Sequence, residues 1–176
     1  FTEVGAQLRA TGDTELLVEA IDQLRTAVRE EPSLTIPRAA LCWRVRGYGQ
    51  YDEFNRNSFL AQSGQQVIVY TEIDDFTSER NEKGEWVTEL SEELVIHNLR
   101  DGIPVWRQAP MSVPDVSRNQ RREFFISHII TLPKSLPVGA YSLKVRVRDE
   151  KSNAVAETTI DFTIVADASL AARIPD

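Results

Sequence analysis

The chain carries one cysteine, Cys42, and two histidines, His97 and His128, among 176 residues. A lone thiol forms no intrachain disulfide, so the fold depends on an apolar core, and one thiol does not report a redox compartment. Two distant histidines without a second cysteine do not make the close-spaced ligand set of a zinc site. Both are read as structural, and no metal or other cofactor is expected. Glycine is also sparse, at eight residues, and none of them builds a G-x-S-x-G, P-loop or G-x-G-x-x-G sequence. With no nucleophile beside a base and no phosphate cradle, the chain reads as non-enzymatic.

No apolar run approaches the roughly 20 residues that cross a bilayer as a helix. The opening Phe1-Thr2-Glu3-Val4-Gly5 does not have the form of a signal peptide. A first residue other than Met points to a trimmed chain with a leader, anchor or upstream domain outside the sequence, and the compartment stays open, the cell envelope included. Positive charge is in deficit as well: 20 Lys and Arg stand against 27 Asp and Glu, a net charge of -7 with a pI near 5.0. An acidic surface repels a phosphate backbone instead of releasing its counterions, so nucleic acid is not an expected partner.

An apolar fraction of 41% and a charged fraction of 27% are those of a globular chain, excluding wholesale disorder and fibrous repeats. A single main core is the default at this length. Between Asp13 and Glu31, Leu17, Ile21, Leu24 and Val28 recur at steps of four, three and four, which predicts an amphipathic helix over about 14–31. Asp13 and Thr14 are candidate caps, and Pro32 with Pro37 ends it. Its stripe is too apolar to face water and is expected to pack on whatever follows.

From Ala39 onward the apolar period becomes two. Leu41, Trp43 and Val45 alternate with Cys42, Arg44 and Arg46, and Val67, Val69, Thr71 and Ile73 form the next run. A third strand is expected within Trp86–Leu99, then the turn Asp101-Gly102 and a short fourth strand from Ile103 to Gln108. Phe124 to Leu132 is apolar on both faces, as a covered strand would be, and the predicted helix is the natural cover. Tyr141, Leu143, Val145 and Val147 alternate with Ser142, Lys144, Arg146 and Arg148. After the turn Asp149 to Asn153, Ala156, Thr158, Ile160, Phe162 and Ile164 complete the set. The expectation is a mainly β, seven-strand antiparallel sandwich spanning 38–166, behind an N-terminal helical segment and linker (1–37) and ahead of a frayed tail (167–176).

Leu132-Pro133, Pro137-Val138-Gly139-Ala140-Tyr141 and the alternation that follows resemble the corner and next strand of immunoglobulin-like and fibronectin-like sandwiches, where a tyrosine hydroxyl bonds the corner backbone. The resemblance places that role on Tyr141 and is silent on function. From Leu41 to Val165 the chain also resembles the C-terminal sandwich domain of an uncharacterised bacterial family. The likeness rests on Gly47-Tyr48-Gly49-Gln50-Tyr51, on Gly64-Gln65 before Val67 to Glu72, and on Arg118-Asn119-Gln120-Arg121-Arg122 running into Glu123-Phe124-Phe125-Ile126. It implies a helical region upstream and transfers no catalytic residue. Gln120 stands where that family often has proline after Arg-Asn.

The long connection from Gly47 to Gln65 sets Tyr48, Tyr51, Phe54 and Phe59 among polar residues, which suits either a recognition surface or a plain apolar lid over the end of the sandwich. Arg118, Arg121 and Arg122 form the one basic cluster, able to grip a carboxylate or sulfate, or simply to pair with the acidic surface. Glu72, Asp74 and Asp75 offer oxygen ligands at a strand end, but EF-hand spacing is absent and an acidic strand end is ordinarily a solvated turn. Glu89, Glu92 and Glu93 with Lys144, Arg146 and Arg148 read as solvated sheet faces complementary across strands. Two functions follow. The first is a non-catalytic interaction or scaffolding module that shows the 47–65 loop or an edge strand to a protein partner or to the upstream helical region of its own chain. The second is a small-ligand or carbohydrate binder stacking on the same aromatics.

Overall fold

The computed structural model describes residues 34–173. The helix expected over 14–31 lies outside the described residues, as does the packing expected of it. Ten strands follow in order: β1 (Thr35–Gly47), β2 (Gln50–Glu53), β3 (Ser58–Leu60), β4 (Gln66–Asp74), β5 (Ser78–Arg80), β6 (Trp86–Asn98), β7 (Pro104–Ser117), β8 (Phe124–Thr131), β9 (Gly139–Asp149) and β10 (Val155–Val165). Among the described residues there is no helix, and so none long and apolar enough to cross a membrane.

The strands make two sheets. One runs β2-β1-β4-β8; the other runs β3-β10-β9-β6-β5, with β7 added on β6. Their facing sides bury a common core that includes Leu41, Val69 and Ile73 from the first sheet and Leu94, Ile96, Leu143 and Val145 from the second. The two-residue side-chain period brings this about, because every second residue of a strand points the same way. With β1, β4 and β8 in the places of strands A, B and E, and β6, β9 and β10 in those of C, F and G, the order is that of an immunoglobulin-like sandwich. The strand after C departs from the constant-type arrangement. β7 pairs with β6 and not with β8, so no described strand lies beside β8 on its outer side.

The seven strands expected become ten for identifiable reasons. β2 and β3 are short pieces inside the supposed 47–65 loop: β2 folds back on β1, and β3 runs parallel to β10 with Phe59 opposite Ile164. β5 pairs with only three residues of β6. None of the three is long enough to show a period. β7 reaches Ser117 instead of ending at Gln108, because an outer strand tolerates Pro110 and Pro114, whose missing N–H groups have no inner partner to disappoint. The tail is not frayed as far as it is described, since the Ala172 N–H donates to the Ser58 carbonyl and Ala172 is buried.

Two corners carry hydrogen bonds that the sequence made legible. Tyr141 Oη donates to the Pro137 carbonyl at 2.8 Å while its ring stacks on Phe162 at 5.5 Å, which is the corner bond implied by the resemblance. At the β9–β10 turn the fully buried Asp149 accepts from Lys151 N (2.9 Å) and Ser152 N (3.2 Å) at one oxygen, and from Thr77 N (2.7 Å) at the other. Burial alone pushes its carboxyl up, and the bonds from Thr77, Lys151 and Ser152 outweigh that, holding it below the usual carboxylate range.

Tyr141→Phe removes one buried hydrogen bond and strands a carbonyl, so unfolding in urea should show a loss of about 1–3 kcal/mol with an unchanged m-value. Asp149 has a depressed folded pKa, so its contribution is complete above the ordinary aspartate range and is lost as pH falls through the lower folded value. Wild-type stability should therefore drop more steeply than that of Asp149→Asn as pH is lowered from neutral into the acid range, measured by thermal melts. Parallel curves would refute this assignment.

Candidate functional site

The aromatic residues of the 47–65 connection are mostly spoken for. Phe54 is 6% exposed and meets Phe59 edge-on at 5.2 Å, inside the main core. Tyr51 is half-buried, its ring 4.2 Å from that of Tyr70 on the outer face of the four-stranded sheet, and Phe125 flanks Tyr70 from the other side at 5.7 Å. These rings join Ala40, Cys42, Val45 and Ile68 in a second apolar cluster on that face. A register shift in β1 after Cys42 turns Val45 into this cluster, although simple alternation from Leu41 would have put it in the main core. Phe54 is thus a core residue and Tyr51 packs on the outer face of the smaller sheet, and neither offers a free stacking platform.

Tyr48 sits at the tip of the β1–β2 hairpin, next to Gly49, whose backbone at φ 64 is the left-handed conformation a glycine adopts without strain. The Gly49 N–H donates to Tyr70 Oη at 2.8 Å, and that hydroxyl donates to Glu72 Oε1 at 2.7 Å. The tip thereby lies over β4. Burial, then the carboxylates of Asp74, Glu72 and Glu123, raise the Tyr48 phenol above its usual range. Glu72, Asp74 and Glu123 are therefore near one another, with Asp75 adding to the field on Asp74. Among the described residues no group of three or more His, Cys, Asp or Glu side chains is placed to hold a metal ion. Cys42 is inert for a different reason: burial first, then Glu53, pushes its thiol up to about 12.

The three arginines divide. Arg121 Nε lies 2.8 Å from Asp115 Oδ2, off the N–H direction, so the pair is ionic and that buried oxygen receives no aligned hydrogen bond. Arg118 and Arg122 are exposed and have no carboxylate partner among the described residues. On the outer face of the larger sheet, the complementary pattern of charges is realised as a ladder. Glu93 meets Arg107 and Arg146, and Arg146 and Lys144 meet Glu157, at 2.6 to 3.9 Å.

Glu92 corrects the sequence reading. Its charge and the pattern of its neighbours predict a solvated sheet face, yet it is 1% exposed and points between the sheets, sharing the inward side of β6 with Leu90, Leu94 and Ile96. Thr71 Oγ1 donates to its Oε1 at 3.0 Å, and His128 Nδ1 lies 3.2 Å from its Oε2. The other ring nitrogen of His128 lies 2.7 Å from Gln108 Nε2. With the amide as donor, Nε2 accepts and Nδ1 carries the proton, a tautomer assigned from the network. A polar chain from β4 through β6 and β8 to β7 thus crosses the core. The signal was available, since a residue in step with Leu90, Leu94 and Ile96 must face inward, but its partners come from two other strands, β4 and β8, and no sequence spacing announces them. His97 is half-buried on the opposite face of β6 and does not join this network.

The side of the sandwich where this chain emerges is its least covered part. β8 is the outer strand of the smaller sheet. Opposite it, the inward residues of β7 are only partly covered: Trp106, Gln108 and Val113 are half-buried, and Met111 is 43% exposed. On β8 itself Phe125 is half-buried and Ile129 is 64% exposed.

Removing one partner of the buried pair leaves the other unsatisfied, so His128→Leu should cost about 3 kcal/mol or more in chemical denaturation. Glu92→Leu combined with His128→Leu should recover a substantial part of that loss. Additive losses in the double variant would show that the two side chains do not act as a pair.

No protein-family model and no curated protein matches the sequence. Among solved structures the chain is similar to a Niemann-Pick type C2 protein from Japanese carpenter ant, at 10% identity and a TM-score of 0.47, over 78% of this chain and 96% of that one. It is also similar to a family 123 glycoside hydrolase from Clostridium perfringens, at 10% identity and a TM-score of 0.45, over 76% of this chain and 27% of that one.

Proposed function

We propose that this chain is a non-catalytic protein-interaction module that receives an extended segment of its partner along the outer edge of β8. One observation carries the reading, a comparison of the sheet edges. β2 has four residues, β3 and β5 have three each, and β7 begins at Pro104 and carries Pro110 and Pro114 within it. Short length and proline are the usual protections of an edge against adventitious pairing. β8 has eight residues, Phe124–Thr131, with no proline, no glycine and no lysine. Alternate residues of such an edge direct their N–H and C=O groups away from β4, a ready template for main-chain pairing.

The partly covered inward side of β7 supports the same place. A strand added beside β8 would occupy the D position of the constant-type sandwich and cover Trp106, Met111 and Val113. In the aromatic loop, which the sequence offered as the other recognition surface, the rings of Tyr51, Phe54 and Phe59 are engaged in packing, which counts against a site that stacks a carbohydrate or small ligand on them. A non-enzymatic role accords with the Glu92–His128 pair, where the adjacent hydroxyl of Thr71 is fully buried and hydrogen-bonded to the carboxylate instead of being poised against the imidazole. The upstream helical region implied by the resemblance to a bacterial family remains one source of such a partner segment.

Ile129→Lys places a charge at the exposed outer side of the edge, where strand-protecting lysines occur, and should change stability by no more than about 0.5 kcal/mol. In pull-downs with the immobilised chain, a protein retained by wild type and by Tyr48→Ala but lost from Ile129→Lys is the expected result. Retention by Ile129→Lys together with loss from Tyr48→Ala would place recognition on the hairpin and refute the edge.

A further inference from the structure

We infer that Glu92, His128 and Gln108 make a proton-operated switch, in which a proton taken up at His128 Nε2 turns over the Gln108 side-chain amide and releases Met111 at the thinly covered flank of the sandwich. Every group in it belongs to this chain, so it operates whatever pairs with β8. The ring stands between two unlike neighbours. On its inner side Nδ1 lies 3.2 Å from Glu92 Oε2, on a carboxylate withdrawn from solvent. On its outer side Nε2 lies 2.7 Å from Gln108 Nε2, on a half-buried residue of the outer strand β7.

The two ends of the ring respond differently to a proton. An ionised carboxylate only accepts, so Nδ1 keeps its hydrogen in both charge states of the ring. Nε2 accepts in the neutral ring and donates in the imidazolium. An amide NH2 fits the first state and not the second, because two donors would then face each other at 2.7 Å. Half a rotation of the amide about its last bond brings Oε1 to the ring and restores the hydrogen bond. The same amide has a second tie, since Gln108 Nε2 also donates to Met111 Sδ at 3.8 Å. Rotation carries that donor away from the sulfur, so the amide nitrogen, held by His128 and Met111 in the neutral form, is turned from both in the charged form.

Charge and access permit the step. The proton comes from solvent, and its positive charge takes the buried pair from singly negative to neutral. Glu92 is the one charged side chain that meets the ring among the described residues. β4 sets Val69 opposite His128, with Thr71 on the same face and hydrogen-bonded to Glu92. β6 places Leu90 and Leu94 on either side of Glu92, and β9 supplies Val145 and Val147. The next inward carboxylates are Asp149 on β9, held by Thr77, Lys151 and Ser152, and Asp115 on β7, paired with Arg121. His128 is itself 9% exposed on the least covered side, so a proton reaches Nε2 past Gln108 without the sheets parting.

Met111 is the one methionine of the chain, so an isotope label on methionine methyl groups gives a single reporter signal. NMR tests the switch on the whole chain, labelled also at histidine and glutamine nitrogens and at glutamate carboxyls, and titrated from about pH 8 to about pH 5. His128, told apart from His97 with the His97→Gln variant, is expected to begin as the Nδ1–H tautomer and to become imidazolium. The Gln108 amide and the Met111 methyl should move with the same midpoint. Gln108→Leu should leave Met111 indifferent to that titration. Gln108→Glu places an anionic acceptor at Nε2 and should raise the His128 midpoint by about one to three pH units. A neutral ring protonated on Nε2, a Gln108 amide and Met111 methyl that stay still while His128 titrates, or an unchanged midpoint in Gln108→Glu would each overturn the switch. So would a ring whose charge does not change before the chain unfolds, or uptake of the proton by Glu92 in its place.

Discussion

Everything in this molecule depends on each sheet burying one face against the other. Side chains that alternate along a strand are divided between core and exterior, and the core closes only if the inward sets of both sheets are apolar and of matching volume. Leu41, Val69, Leu143 and Val145 satisfy that condition at nearly zero exposure. With no disulfide available, nothing covalent supports the arrangement, and the corner bond of Tyr141 and the turn bonds of Asp149 fix the connections on which the register depends.

The two sheets are unequal in width, and the inequality creates the exposed side. Because β7 joins β6 instead of β8, the larger sheet extends beyond the smaller one, and β7's inward residues have a strand opposite them only along one flank. The polar chain from Thr71 through Glu92 and His128 to Gln108 runs toward that flank. A carboxylate is tolerated between apolar strands there because each oxygen has a hydrogen-bond partner, and the chain tails off where the covering of the core is thinnest.

Much of the framework was legible in the residues. The strands of strict alternation, Val67 to Ile73 and Tyr141 to Val147, lie where the period put them, and Gly102 at φ 72 forms the Asp101-Gly102 turn. The short strands β2, β3 and β5 were not legible, because three or four residues carry no measurable period and their pairing is set by what they lie against. Glu92 was legible by parity and was misread by its charge, since a glutamate in a strand is most often outside. Phe54 and Tyr51 were legible as aromatics, but whether such rings face solvent or core is decided by what they pack against.

The sequence by itself determined the β architecture and the turns, since these follow from the geometry of single strands and from side chains acting on their own neighbouring backbone, while the corner role of Tyr141 came from the resemblance to immunoglobulin-like sandwiches. Only the tertiary structure decided which strand pairs with β8, which carboxylate is interior and which cations are unmatched. Those are relations between segments distant in sequence, whose free energy depends on burial and charge that exist only once the sheets have met.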